Sequence, residues 1–310
     1  MKKGDICGIV VTYHPGSDFF VRLDSISRQM NSVVVVDNGS TPALVGTLRA
    51  LDVDPAIHLI LNSDNLGIAR ALNLGILHAA ERGFRWMLLM DQDSQLHDDA
   101  VESLLDAFKS FPEKNSLAVI GSGYEELQKN PTEPNSPAAL GKSWHEVEAV
   151  ITSGSLLSLS AYAAIGPFRE EFFIDHVDRE YCLRARALGY RIIKTIKPLM
   201  SHSIGTPTQH SLLWMRKSTS NHSADRRYYF ARNDTVMLRE YGNYSTLGWM
   251  FKSLRRCFRT VKRIVLYEDC KGDKVVAVFH GWWDGLNGNM GPRKGSSTKT
   301  RAHRRIADRD

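Results

Sequence analysis

Short continuous apolar runs alternate with stretches of helical periodicity over roughly the first 123 residues. Ile6 to Thr12, Val33 to Asp37, Ile57 to Leu61, Arg85 to Asp91 and Leu117 to Ile120 read as strands, being short, β-rich and bounded by polar or turn-forming residues. Between them, Asp18 to Met30, Ile68 to Arg82 and Asp98 to Ser110 repeat apolar side chains at helical spacing. Strands that are apolar throughout need cover on both faces. This order therefore predicts an α/β fold, a doubly wound and mostly parallel sheet with helices on both faces.

The rhythm then changes. Tyr124 to Lys142 is polar and holds Pro131, Pro134 and Pro137, so it reads as a loop over a site. An apolar segment near Ala149 to Leu159, a helix over His176 to Leu188 and a strand over Arg191 to Ile196 follow. From about Ser211 the pattern is helical. Three parts are expected: a sheet domain over 1–210, a helical C-terminal extension over 211–291, and a basic flexible tail over 292–310.

One helix in the extension has an unusual pattern. Phe251, Leu254, Phe258, Val261 and Val265 recur at helical spacing, while Lys252, Arg255, Arg256, Arg259, Lys262 and Arg263 take nearly the opposite face with no acid among them. That composition predicts contact with an anionic membrane surface. The alternative is a helix whose apolar stripe packs on the sheet domain while its charges stay solvated.

Composition narrows the class. The chain has 310 residues, 43% of them hydrophobic, enough for a substantial core. No apolar run approaches the roughly 18 residues of a membrane-spanning helix. Met1-Lys2-Lys3 leads into a short apolar stretch with no small-residue cleavage site, so the expected location is cytoplasmic, peripheral on the inner face of the cell membrane. Cys7, Cys182, Cys257 and Cys270 are scattered and read as reduced packing residues. The net charge of +6 is concentrated in the basic helix and the tail, leaving the rest of the chain net acidic. Nucleic acid is accordingly not the expected partner of the body.

Candidate chemistry collects where the strands end, which is where open α/β sheets bind ligands. Thr12 and Tyr13 close the first strand, Asp37-Asn38-Gly39-Ser40 the second, and Asp91-Gln92-Asp93 the fourth. Two carboxylates at a strand end suit a hard divalent cation, which can also hold diphosphate oxygens. Alone, such a pair is more often a turn or a helix cap, and Ser94 to Asp99 could cap the next helix. Asp37 can accept hydrogen bonds from a base or ribose, or form an Asx turn. Asn65-Leu66-Gly67-Ile68-Ala69-Arg70 opens a helix with small residues, leaving room for a ligand or for close helix packing.

These segments, in this order, resemble the nucleotide-binding half of the family 2 (GT-A fold) glycosyltransferases. Phe172-Phe173-Ile174-Asp175-His176-Val177-Asp178-Arg179-Glu180 and the helix after it look like that family's acidic catalytic motif. Within the family the chain is most similar to bacterial rhamnosyltransferases, whose donor is dTDP-L-rhamnose, and the match runs over roughly residues 6 to 240. The resemblance implies an inverting transfer with Asp178 as catalytic base. It implies donor contacts from Thr12, Tyr13, Asp37, Asn65, Gly67, Arg70 and Asp91. A divalent metal, Mg2+ or Mn2+, would be held by Asp93, Asp91 and His202, and Ser153, Gly154 and Asp175 would lie on the acceptor side. Many members have Glu-Asp where this chain has Val177-Asp178, which leaves Asp175 or Glu180 to take the positioning role. The acceptor class implied is a lipopolysaccharide or polyprenyl-linked glycan. Arg232 is read either as a phosphate contact or as a helix-packing residue in a buried pair with a carboxylate.

Rival readings are a relative using UDP-galactofuranose or UDP-glucose, a catalytically inactive scaffold, and a nucleic-acid-binding protein using the basic C-terminal region. A dehydrogenase is disfavoured, because Thr12-Tyr13-His14-Pro15 follows the first strand in place of a glycine-rich turn.

Overall fold

The computed structural model describes residues 1–124, 142–202, 208–212, 215–219, 221–243 and 245–293; the side chains of Tyr124, of residues 202–219 and of Thr246 lie outside that description. The loop expected to cover the site falls almost wholly in 125–141, and the basic tail in 294–310, both outside the described residues. The chain divides into two compact units, Met1–Ser220 and Asn221–Asp310.

In the first unit the strands are β1 (Ile6–Thr12), β2 (Val33–Asp37), β3 (Ile57–Leu61), β4 (Trp86–Asp91), β5 (Ser94–Leu96), β6 (Leu117–Tyr124), β7 (Trp144–Glu146), β8 (Ser155–Ser158), β9 (Arg191–His202), β10 (Thr208–Leu212) and β11 (Met215–Thr219). Its helices are α1 (Phe19–Ser27), α2 (Pro42–Leu48), α3 (Ile68–Glu81), α4 (Ala100–Ser110), α5 (Leu159–Ile165) and α6 (Val177–Ala187). Nine strands form one sheet in the order β3-β2-β1-β4-β8-β6-β9-β5, with β7 pairing β9.

The α/β expectation holds, and the first four strands form the parallel block that the sequence pattern predicts. Every residue of β1 and β2 is buried, which accounts for their unbroken apolar character. The second half of the sheet is more mixed than expected. β8 enters antiparallel between β4 and β6, and β5 and β7 add antiparallel edges to β9. An apolar run buried on both faces looks the same whichever way the strand points, so the pattern does not disclose direction.

Two expected boundaries move. β9 continues past Ile196 to His202, because β5 pairs antiparallel with Met200 to His202 and the end of β6 runs parallel beside Pro198 and Met200. Where helix was expected from about Ser211, β10 and β11 form an antiparallel hairpin instead. Its hydroxyl-rich sequence competes poorly for helix interiors.

The second unit contains α7 (Ala224–Tyr241), α8 (Thr246–Tyr267) and α9 (Lys271–Asn287). Ser223 and Ser245 cap α7 and α8, each side-chain oxygen accepting from a backbone amide three residues on. Cys257, Ile264 and Val278 form its buried apolar centre. A polar centre lies beside it, with Glu268 accepting from Arg227 and from Lys274 (3.1 Å), all three side chains at least nine-tenths buried. Arg232, 0% exposed, donates to Asn233 and to the Gly291 carbonyl, and its guanidinium lies 5.6 Å and 5.0 Å from the rings of Tyr228 and Tyr229. The burial agrees with the packing reading of Arg232, although the partners shown are an amide and a backbone carbonyl in place of a carboxylate.

Candidate active site

Asp91 ends β4, and Asp93 is the second residue of the two-residue turn, Gln92-Asp93, that leads into β5. Of the stretch from Ser94 to Asp99, Asp99 stands at the N-cap of α4 without a side-chain capping bond, and only Ser94–Leu96 departs from the cap reading. Those three residues form β5, whose register against β9 pairs Ser94 with His202. Gln92, between the two acids, clasps the end of β1: its amide oxygen accepts from the Tyr13 amide (2.7 Å) and its nitrogen donates to the Tyr13 carbonyl (3.1 Å). The exits of β1 and β4 are thus bound together by the residue between the two carboxylates.

Asp37 sits at the end of β2 with 0% exposure. It accepts from Thr12 Oγ1 (3.0 Å), Ser40 Oγ (2.5 Å) and the Ser40 amide (2.9 Å). Thr12 is itself 1% exposed, so these two expected donor contacts lie beneath the strand-end surface, with their polar atoms turned on each other. Tyr13, 37% exposed and with its ring 4.2 Å from that of His14, is the outward group at this edge. Asn38, whose role the sequence pattern does not reveal, joins the loops: it donates to Asn65 (2.9 Å) and accepts from the Leu66 amide (3.0 Å) and from Asn62 (3.2 Å). Asn65 in turn accepts from the Gly67 amide at 2.9 Å.

At Gly67 the structure shows the close packing that is one of the two readings of this segment. The residue's φ of +84° and ψ of 157° belong to a region that is essentially glycine-only. A Cβ there would stand 2.7 Å from the Phe173 carbonyl oxygen. That space is occupied by the segment before α6, and the Phe173 carbonyl accepts from the Ile68 amide (2.7 Å) at the start of α3. Phe173 itself occupies a three-residue turn, φ 63° and ψ −64°, closed by Ile174 N to Phe172 O at 2.7 Å. Asp175 and His176 also have positive φ, both 63°. Departures of this kind cluster where binding and catalytic loops store strain. Arg70 extends the same junction by pairing with Glu170 at 2.9 Å, so in this state its guanidinium is engaged by protein.

The loop from Thr152 to Gly154 connects the two acidic ends of the site. Ser153 Oγ accepts from the Asp91 amide at 3.3 Å. Gly154, φ +71°, donates to the Leu89 carbonyl (2.9 Å), and a Cβ on it would reach Met200 Sδ at 2.7 Å. Asp178, in the first turn of α6, is partly exposed and borders a small cavity lined by Val150, Thr152, Tyr181 and Cys182. Burial among these groups raises its carboxyl pKa above the ordinary aspartate value; the Arg179 amide, the neighbouring His176 and the Thr152 amide oppose that shift. A carboxylate so placed is a stronger proton acceptor once ionised. Glu180, by contrast, is 0% exposed and forked onto Arg184 (3.0 and 3.1 Å), which removes it as a substitute for the missing family Glu.

Asp91, Asp93 and His202 would together offer oxygen and imidazole donors, and the β5 to β9 register brings the His202 backbone opposite Ser94, the residue that follows Asp93. These residues fit a divalent cation in type and in backbone placement. Among the described residues no three His, Cys, Asp or Glu side chains gather closely enough to hold one. The His202 side chain lies outside that description.

The chain is similar to several known proteins. The chain is 29% identical over 252 residues to the dTDP-rhamnosyl transferase RfbF of Shigella flexneri, covering 77% of this chain and 81% of that protein. It is 25% identical over 282 residues to the galactofuranosyltransferase GlfT1 of Mycolicibacterium smegmatis, covering 81% and 91%. Among solved structures, the mannosyltransferase PcManGT of Pyrobaculum calidifontis, in complex with GDP-Man and Mn2+, matches with a TM-score of 0.57 over 91% of this chain and 87% of its own, at 15% identity, a likeness of fold. The architecture is GT-A-like, a mixed sheet with helices around it and a helical C-terminal region. The family model for glycosyl transferase family 2 matches residues 9–164, half of the sequence and all of the strand-end motifs up to the Thr152 to Gly154 loop, and the chain belongs to that family of glycosyltransferases.

Proposed function

We propose that this glycosyltransferase moves L-rhamnose from dTDP-L-rhamnose onto a lipid-linked or lipopolysaccharide glycan, with inversion at the anomeric carbon, at the cytoplasmic face of a membrane. The likeness to a dTDP-rhamnosyl transferase over most of both chains supports the donor. The observation that carries the chemistry is the Thr152 to Gly154 loop, with Ser153 on the Asp91 amide and Thr152 beside the Asp178 carboxyl. One short segment thereby ties the strand end suited to a diphosphate to a carboxyl group with raised proton affinity.

In this reading the donor lies over the ends of β1, β2 and β4. Tyr13 offers the base an aromatic surface, while Thr12, Asp37 and Asn38 hold the loops that shape the floor. A divalent cation held by Asp91, Asp93 and His202 would neutralise charge on the diphosphate as it departs. Asp178 takes the proton of the acceptor hydroxyl as its oxygen bonds to the anomeric carbon and the bond from that carbon to the diphosphate breaks. Attack from the side opposite the leaving group inverts the configuration. Phe173, Gly67 and Asn65 keep the base and the donor loop in fixed relation.

A thermal-shift panel of nucleotide sugars, each with and without Mn2+, tests the donor. A ligand at a hundredfold excess over its Kd stabilises the folded state by about 2.7 kcal/mol. The largest rise in Tm is expected for dTDP-rhamnose with metal. UDP-galactofuranose or UDP-glucose giving the largest rise would replace the donor and leave the family reading intact.

A further inference from the structure

The surface of α8 divides into three sectors. Ser253, Cys257 and Ile264, exposed 2%, 5% and 0%, face the interior of the helical unit. A second sector is apolar and open to solvent: Leu247 is 67% exposed, Phe251 70%, Phe258 56% and Val265 47%. Steps of four and seven residues align these side chains in one stripe, about 27 Å long at 1.5 Å per residue. The third sector holds Arg255, Arg259, Lys262 and Arg263, all exposed.

Neither outer sector is used within the unit. Among the described residues none of those four cations forms an ion pair, whereas Arg256, one position along, pairs with Asp234 of α7. Thr246 to Tyr267 contains no acid at all. The apolar surface continues onto α9, where the Phe279 ring lies 6.2 Å from that of Phe258. Val276 and Trp283, three residues before Phe279 and four after it, are 51% and 62% exposed. No described helix is long and apolar enough to cross a membrane.

A protein partner would have to match a long narrow apolar stripe with an unbroken row of acids beside it. An anionic bilayer presents both at every point of its surface, acyl chains for the stripe and headgroup phosphates for the cations. We propose that α8 and the exposed edge of α9 dock on an anionic lipid bilayer. Phe251, Phe258 and Val265 enter the boundary between headgroups and acyl chains, Arg255, Arg259, Lys262 and Arg263 contact phosphates, and Trp283 sits at the interface as tryptophan commonly does. The docking does not rest on the donor or on the base, so its failure and theirs can be told apart.

The test is cosedimentation of the full chain with phosphatidylcholine vesicles made with or without phosphatidylglycerol. Binding to the anionic vesicles alone is expected, weakened by high salt. Replacing Arg255, Arg259 and Lys262 together by Gln should lower the partition coefficient on the order of a hundredfold. Phe251→Ser should lower it by roughly tenfold or more. In the unmodified chain, brominated lipid should quench Trp283 emission, and the quenching should fall in Trp283→Phe. Equal binding to neutral vesicles, or no binding, would overturn the proposal. So would a dimer broken by Phe251→Ser that shows no vesicle binding, because the occupant would then be a second copy of the chain. All substituted side chains are exposed, and dTDP release from the donor in solution should be unchanged by these variants.

Discussion

Asp178→Asn should abolish sugar transfer nearly completely, lowering kcat by about 100- to 10,000-fold, the range that a positioned general base contributes. The amide matches the carboxylate in shape, so donor affinity should hold while the chemical step fails. Two further consequences separate this role from a structural one. In the wild type, kcat/KM should fall on the acid side as Asp178 is protonated, and because burial raises its pKa, that limb lies above the ordinary aspartate range. The second concerns stability. A carboxyl whose folded pKa is raised binds more protons folded than unfolded, so stability declines as pH rises from the unfolded pKa through the folded one, and the full cost is present only above the folded pKa. Removing the charge removes that cost. At a pH above the folded pKa of Asp178, Asp178→Asn should melt higher than wild type, an inactive protein that is the more stable of the two. Retained transfer together with a lower Tm would mean that Asp178 only holds the start of α6.

Glu268→Ala should be the most damaging single change in the helical unit, at about 3–5 kcal/mol of stability. Glu268 is the anion shared by Arg227 and Lys274, with side-chain exposures of 0%, 9% and 6%. Deleting it leaves two like charges buried side by side without their counter-ion, whereas loss of an exposed pair such as Lys109 with Asp106 should be nearly silent. Glu268→Gln, which keeps hydrogen-bond acceptors without the charge, should fall between wild type and Ala. Urea unfolding followed by far-UV circular dichroism measures the series. A loss below about 1 kcal/mol in Glu268→Ala would show that the two cations find other partners or water.

What the sequence disclosed followed from how local each cause was. β1 to β4, and the acidic turn after β4, announce themselves through unbroken apolar runs that end in polar residues, and their boundaries match to within a residue. β5 is three residues long and exists because β9 runs beside it, so no local pattern could reveal it. The fit of Gly67 against Phe173 joins positions more than 100 residues apart and requires a non-glycine residue at positive φ, which propensity argues against. Asn38 and Gln92 stand inside the strand-end motifs. Their part lies in side-chain bonds to other loops, to Asn65 and Tyr13, that only the closed fold creates. Arg70 reads in the sequence as free to bind an anion, and the fold brings Glu170 alongside it.

The apolar stripe of α8 is instructive in the other direction. Its periodicity is plain, yet the side that packs inward carries Ser253, Cys257 and Ile264, and the phenylalanines stay outside. Periodicity identifies a face and leaves open what covers it.

The most direct test of the central claim is the anomeric configuration of the product. The chain is incubated with dTDP-rhamnose carrying 13C at the anomeric carbon, with Mn2+ and a membrane-glycan acceptor, and the new linkage is read by NMR. A single displacement assisted by Asp178 predicts transfer with the configuration opposite to that of the donor. Retention of configuration, or release of free rhamnose with no glycan product, would contradict it.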